Sequence, residues 1–222
     1  MQILIAVGWF VVIAGCANVL QYFFAITYQK HWWLFLFLFV GIAVPGIYFT
    51  TSLQDSAALH STTGMLFGSG AGFLYVAFLT WWGRSFSIDD MYRVDSIPTP
   101  YRQLLKPNLY SALVKLSEIA IQDLVLLVIV LSLNQMTSYL YASLAFSLIV
   151  FLVHIPSPMV LGKLYGSILM VLATLGALVV PYVIGELTLG IYYVFACHLA
   201  VYMLLLVWSR IQQVAYSPHS RY

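Results

Sequence analysis

The sequence predicts an all-α fold, a polytopic membrane bundle of seven transmembrane helices with the N-terminus outside and the C-terminus in the cytoplasm. Three observations predict it: 63% of the residues are hydrophobic and only 7% are charged, long apolar runs recur, and the basic residues lie on one side of those runs. A soluble domain normally has about 25% charged residues. We therefore expect residues 1–222 to form a single transmembrane domain.

Seven apolar segments are long enough to cross a bilayer, which requires about 20 mostly apolar residues. The first segment lacks the basic start and the small-residue cleavage site of a signal peptide, so we expect it to remain as the first helix. The predicted spans are residues 3–27, 32–53, 63–82, 110–133, 137–156, 159–184 and 187–208.

The nine Lys and Arg residues indicate the orientation of the helices. With seven spans, all nine fall at one set of helix ends. The loops at the opposite ends carry Asp55, His60, Asn134 and Glu186 but no Lys or Arg. Cytoplasmic loops of membrane proteins carry an excess of Lys and Arg. The charge pattern therefore predicts which ends of the helices face the cytoplasm. Because the chain is compact and lacks targeting signals, we expect an integral protein of the prokaryotic inner membrane.

The longest polar stretch, residues 83–109, is predicted to be a cytoplasmic loop. Residues 86–94 have the pattern of an interfacial helix, because Ser87 precedes Asp90 by three residues and apolar residues recur between the charges. Prolines at 98, 100 and 107 predict an irregular connector after it. The loop either sets topology alone or also gates a substrate site.

Small residues predict where helices approach each other closely. Gly64, Gly68 and Gly72 lie four residues apart on one face of the third span, and Gly162 and Gly166 repeat this spacing in the sixth. Such spacing lets two helix backbones come close within a membrane. We expect both segments to be packing helices.

Two prolines lie inside predicted spans, Pro45 in the second and Pro181 in the sixth. Proline removes a helical hydrogen bond and clashes with the preceding turn. We expect each proline to kink or end its helix, which can open a cavity in the bundle.

The functional candidates are ionisable residues inside the apolar runs, because unpaired charges are costly in hydrocarbon and usually face the protein interior. Glu118 and Gln122 are four residues apart and share a helix face. At 1.5 Å per residue, Glu118 lies about 12 Å and His198 about 15 Å from the basic ends of their helices. His154 belongs to the same end of the fifth span. A glutamate and two histidines from three helices can activate a water and stabilise an oxyanion.

Three segments on successive helices resemble the CAAX prenyl-protease and bacteriocin-processing (CPBP, or Abi) family of intramembrane proteases. That family carries Glu-Glu-x-x-x-Arg, then Phe-x-x-x-His, then His-x-x-x-Asn. The corresponding segments are Ser117-Glu118-Ile-Ala-Ile-Gln122, Val150-Phe151-Leu-Val-His154 and His198-Leu-Ala-Val-Tyr202. The resemblance implies a CPBP-like core at residues 110–208, in which Glu118, His154 and His198 are the catalytic residues.

The chain departs from the family pattern at four positions. Ser117 replaces the first Glu, Gln122 the Arg, Val150 the Phe and Tyr202 the Asn. Because the family uses the first Glu to activate water, we expect weak activity or none. Asp123 is an extra carboxylate that can take its place. We expect Ser117, Gln122, Asp123 and Tyr202 to line the pocket.

Three functional classes follow. A CPBP-like peptidase, or a catalytically degenerate relative, acts on a membrane-associated or lipidated peptide. A non-enzymatic membrane subunit or scaffold binds partner helices through its glycine faces. A b-type haem protein uses His154 and His198 as axial ligands, since neutral imidazoles on facing helices are the usual arrangement.

In the first two classes the protein needs no cofactor, and membrane lipid surrounds the bundle. Glu118 paired with a histidine also has a purely structural interpretation, because polar contacts between membrane helices contribute about 0.6 kcal/mol each. The two cysteines form no CxxC metal motif, so no metal site is predicted. The net charge of +2 does not indicate a nucleic-acid partner.

Overall fold

The computed structural model describes residues 1–24, 26–85, 107–155, 157–160 and 163–215. Within these ranges the protein is helical and contains no strand, which confirms the all-α fold class. The interfacial helix predicted at 86–94 and most of the proline-rich connector lie outside the described residues.

Seven main helices occur in the described ranges: α1 (Gln2–Phe23), α2 (Trp32–Thr50), α3 (Thr62–Ser85), α4 (Leu109–Met136), α5 (Tyr139–His154), α6 (Lys163–Ala177 and Val180–Glu186) and α7 (Gly190–Ala215). Short 3₁₀ turns, Ser52–Asp55 and Ala57–His60, join α2 to α3, and a helical turn, Ser157–Val160, precedes α6. Six of these helices are long and apolar enough to cross a membrane, whereas α5 has 16 residues. The protein is therefore an integral membrane protein by helix length and composition.

The central helix is α4, which contacts each of the other six helices. Its start is fixed by a capping box: the Asn108 Oδ1 accepts a hydrogen bond from the Ser111 N–H at 2.9 Å, and the Ser111 Oγ accepts one from the Asn108 N–H at 2.8 Å. These bonds satisfy backbone donors that a helix start would otherwise leave unpaired. The cap sets the register of every side chain that α4 presents to its neighbours.

Pro45 accounts for an irregular segment of α2. Residues Phe37–Ala43 are π-helical, and the Val44 N–H bonds to the Phe39 carbonyl five residues back. Proline has no N–H to continue the α-helical ladder, and single π turns commonly absorb such a change of register. In α6 the helix stops after Ala177 and restarts at Val180, with Pro181 in the first new turn. Both expected interruptions are present.

The glycine face of α3 packs within the chain, as predicted. A Cβ atom on Gly64 would clash with the Tyr192 ring of α7, and one on Gly68 would lie 2.9 Å from it. A Cβ on Gly72 would contact Leu116 of α4 at 3.5 Å. This face is therefore occupied by α7 and α4, and no partner helix can use it.

Gly166 also makes a close backbone contact inside the chain, since a Cβ there would clash with the carbonyl of Ser157. The other glycine of that predicted pair, Gly162, lies outside the described residues. Gly166 thus packs α6 against the helical turn before it.

Contacts between helix ends define what we call the basic end of the bundle, where α1 and α3 finish and α2 and α4 begin. The Trp32 ring stacks on Tyr110 with 5.2 Å between centroids, which joins the starts of α2 and α4. Gly83, near the end of α3, abuts the backbone just before α4. Lys30 and Arg84 are both exposed at this end.

Candidate functional site

Four polar side chains on adjacent turns of α4 form the core of the candidate site. Lys115 and Asp123 are buried, with 6% and 3% of their surface exposed, and Glu118 and Gln122 are partly buried. Charges in a protein interior are costly unless they are paired and hydrogen-bonded. The partners of these side chains therefore decide what the site does.

Both carboxylate oxygens of Glu118 accept hydrogen bonds. Oε1 accepts one from the Lys115 Nζ at 2.9 Å and one from the Gln122 Nε2 at 3.3 Å. Oε2 accepts one from the Tyr28 hydroxyl at 3.0 Å. Lys115 and Gln122 reach the same carboxylate because spacings of three and four residues share a helix face. We call Tyr28, Lys115, Glu118 and Gln122 the Glu118 cluster.

Tyr28 comes from the connection between α1 and α2. It is only 7% exposed, and its ring meets Phe35 edge to face, with 4.5 Å between centroids. Burial, followed by the nearby Glu118 carboxylate, raises the pKa of Tyr28 well above its ordinary value. The hydroxyl therefore stays neutral and remains a donor to Glu118.

Lys115 connects the Glu118 cluster to α7. Its Nζ lies 4.6 Å from the centroid of the Tyr202 ring, within the range of a cation–π contact. Tyr202 packs against a buried apolar group that includes Tyr75 of α3 and Leu199 of α7. The ammonium group is thus enclosed between a carboxylate and an aromatic face.

Asp123 faces α7 and forms a second polar contact. Its Oδ1 lies 3.0 Å from the His198 Nδ1, and while Asp123 is ionised the Nδ1–H is the donor, because a carboxylate only accepts. The Asp123 side chain is 5% exposed and that of His198 is 27% exposed. Among the described residues, the Asp123 Oδ2 is buried without a hydrogen-bond partner. The His198 ring also lies 6.1 Å from Tyr202, measured between centroids.

A small cavity adjoins Glu118 on the side facing α1 and α2. Its volume is about 50 Å³, which is enough for water. The walls are mostly apolar, and Glu118, Tyr28 and Asn18 supply the polar atoms. The carboxylate thus lies between the cavity and the buried Lys115.

The three predicted catalytic residues, Glu118, His154 and His198, each form a hydrogen bond to a different residue. Glu118 bonds within its own cluster, and His198 bonds to Asp123. His154, at the end of α5, places its Nδ1 2.8 Å from the Val150 carbonyl one turn back. No hydrogen bond of the described residues joins Glu118 to either histidine, so the convergence of the three remains a prediction.

The four predicted lining residues divide between the two contacts. Gln122 bonds to Glu118, Asp123 bonds to His198, and Tyr202 lies beside both Lys115 and His198. The Ser117 hydroxyl instead donates to the Leu113 carbonyl within α4 at 2.9 Å. Ser117 therefore adds no donor or acceptor to the Glu118 cluster.

Comparison of the chain with family models, curated proteins and solved structures gives no match. The resemblance to the CPBP family rests on the three motif segments around Glu118, His154 and His198. Among the described residues, no three His, Cys, Asp or Glu side chains form a group able to hold a metal ion.

Sequence reasoning missed two members of the Glu118 cluster. It counted Lys115 among the charges that mark the cytoplasmic helix ends, but this lysine is buried in an ion pair. The spacing of three residues to Glu118 was the available signal, because oppositely charged residues at that spacing pair on a helix. Tyr28 carried no such signal, since it is 90 residues from Glu118 in the chain.

Proposed function

We propose that this protein is a non-enzymatic membrane subunit or scaffold in which the polar residues of α4 hold the helices in one arrangement. The observation that carries this proposal is that both oxygens of the Glu118 carboxylate are occupied by donors. Lys115 balances the charge of this carboxylate, and Gln122 and Tyr28 fix its orientation. These are the contacts expected of a buried charge that holds helices together.

The same contacts link α4 to opposite sides of the bundle. Tyr28 ties it to the α1–α2 connection, and the Lys115–Tyr202 and Asp123–His198 contacts tie it to α7. Polar contacts between membrane helices contribute about 0.6 kcal/mol on average, and hydrogen bonds to a charged group contribute more, so together they favour one packing over its alternatives. A rigid bundle of this kind suits a subunit that binds a membrane partner. The partner surface must differ from the glycine face of α3, which is filled by α7 and α4.

A degenerate CPBP-like peptidase, acting on a membrane-associated or lipidated peptide, is the second candidate. The observation that favours it is the Asp123–His198 contact, because a carboxylate that orients a histidine is a recurrent device for activating a water. Because Ser117 stands in place of the family's water-activating Glu, we expect weak peptidase activity or none. The third candidate, a b-type haem protein, requires that the Nε2 atoms of His154 and His198 both bind the same haem iron.

Purified full-length protein in nanodiscs separates these candidates. We expect no cleavage of membrane-associated peptides above the level given by Glu118→Gln or His198→Gln, no haem absorbance band, and a membrane protein that co-purifies in constant ratio. Ser147→Ala is a matched control, because Ser147 is a buried polar residue that bonds to the Thr174 carbonyl, away from α4. Cleavage that is lost in both site variants and kept in this control would establish the peptidase instead.

We also propose that the basic end faces the cytoplasm, in the inner membrane of a prokaryote. The exposed Lys30 and Arg84 at one end of the bundle support this orientation. The labelling experiment described at the end of the Discussion tests it.

A further inference from the structure

We infer that Asp123 and His198 form a proton-binding site inside the membrane-spanning bundle, next to the Glu118 cluster. This inference does not depend on the proposed function, because it concerns a different pair of residues and a different readout. The ligand is the proton itself, and the site binds it between α4 and α7.

The geometry of the pair is the first support. Asp123 is buried and meets His198 at 3.0 Å, but its second oxygen has no hydrogen-bond partner among the described residues. An unpaired carboxylate oxygen in a protein interior is costly, and it is less so when the carboxylate faces a full positive charge. Protonation of His198 supplies that charge. Ionisable side chains within membrane helices commonly mark proton relays for this reason.

The proton has a defined place on the ring. The His198 Nδ1–H donates to the Asp123 Oδ1, so the neutral ring has its free lone pair on Nε2. A proton taken up at Nε2 gives an imidazolium paired with the carboxylate, and its release restores the neutral ring. His198 has 27% of its side chain exposed whereas Asp123 has 5%, so the histidine is the member that exchanges protons with its surroundings.

Polar and aromatic groups connect this pair to the basic end. Tyr202 lies 6.1 Å from His198 between ring centroids, and its ring centroid lies 4.6 Å from the Lys115 Nζ. Lys115 in turn bonds to Glu118, whose carboxylate adjoins the water-sized cavity. The chain of contacts thus runs from the interior of the bundle to the cluster that includes Tyr28.

Among the residues that the structure describes, few other titratable groups face this pair from the elements that pack on α7. From α3 the buried Tyr75 lies in the same apolar group as Leu199, and from α4 there is Lys115, which is already paired with Glu118. Tyr182 and Glu186 of α6 and His60 before α3 are exposed, at the opposite end of the bundle. Asp123 is therefore the carboxylate that sets the charge of His198.

Nitrogen NMR of ¹⁵N-histidine-labelled full-length protein in nanodiscs tests the inference, with the His198 signal assigned by its loss in His198→Gln. We expect the His198 signal to change reversibly between its neutral and imidazolium forms when the sample is taken from about pH 8 to about pH 5. In Asp123→Asn the protonated fraction of His198, compared at the same pH, should fall, because the charge that pairs with the imidazolium is removed. The exposed His60 is an internal reference whose signal should be the same in both proteins.

Two outcomes overturn the inference. A wild-type His198 that keeps one protonation state across this range excludes a proton-binding site, whatever the stability of the variants. An unchanged protonated fraction in Asp123→Asn excludes the pair as its basis.

Discussion

Lys115 and Glu118 form an ion pair of 2.9 Å within one turn of α4, and neither charge is on the surface, because their side chains are only 8% and 20% exposed. Removing a charge from water costs several kcal/mol even after relaxation, unless good geometry and further hydrogen bonds offset it. Here Tyr28 and Gln122 supply those further bonds to the carboxylate. The pair is therefore sensitive to the loss of either partner.

We expect Lys115→Met and Glu118→Gln each to lower the free energy of unfolding by about 3 to 5 kcal/mol, since each leaves the opposite charge buried and unpaired. The double variant should cost clearly less than the sum of the two, because it removes both charges. Unfolding of the purified protein in mixed detergent micelles measures the three differences as a double-mutant cycle. Small and additive costs would indicate that water reaches both groups.

Tyr28→Phe tests the contact across the bundle. This variant keeps the ring that packs on Phe35 and removes only the donor to the Glu118 Oε2. Hydrogen bonds to charged groups contribute about 1.5 to 3 kcal/mol, so we expect a loss of that size in the same unfolding experiment. Tyr141→Phe is the control, because Tyr141 is 65% exposed and should give no measurable change. Equal stabilities for the two variants would contradict the Tyr28–Glu118 bond.

The raised pKa of Tyr28 also predicts a pH dependence. In the unfolded chain this hydroxyl ionises near about pH 10, whereas in the folded protein it holds its proton to higher pH. Its contribution to stability is therefore complete below about pH 10 and is lost as the pH rises through the folded-state pKa. We expect the stability difference between wild type and Tyr28→Phe to shrink above about pH 10 and to be constant between about pH 7 and pH 9. A difference that stays constant at higher pH would contradict this linkage.

Helical periodicity explains which parts of the site were predictable. The shared face of Glu118 and Gln122 follows from the rotation of about 100° per residue in a helix. The neighbour that meets each face does not follow from it, because that depends on how α1 and α7 pack around α4. Tyr28, in a connection far away in sequence, could not be assigned to Glu118 on local pattern alone.

In the fold, too, local sequence patterns predicted some features and left others undetermined. Apolar runs and glycine spacing predicted the helices and the packing face of α3, and two prolines predicted where α2 and α6 are irregular. Hydropathy does not locate helix ends, which depend on caps. The fifth predicted span, residues 137–156, is a helix of only 16 residues, Tyr139–His154. The count of seven spans therefore stays a prediction.

Glycine substitutions on α3 provide a test with a control on the same helix. Gly68→Leu should clash with the Tyr192 ring, and overpacking typically costs about 1 to 3 kcal/mol. Gly70→Leu adds the same side chain where nothing lies within 4 Å, so it should be neutral or stabilising. Thermal unfolding in detergent compares the two. Equal melting temperatures would mean that the Gly68 face is not packed against α7.

The orientation of the bundle is tested by cysteine labelling in intact cells, in a background where Cys16 and Cys197 are replaced by Ala. Lys30 and Arg84 are exposed at the basic end, whereas His60 is exposed near the opposite end, between α2 and α3. Because basic residues are retained in the cytoplasm, we expect Lys30→Cys and Arg84→Cys to react with a membrane-impermeant maleimide only after permeabilisation. His60→Cys should react in intact cells. The reverse pattern would invert the proposed topology, and labelling of all three in intact cells would mean that neither α2 nor α3 crosses the membrane.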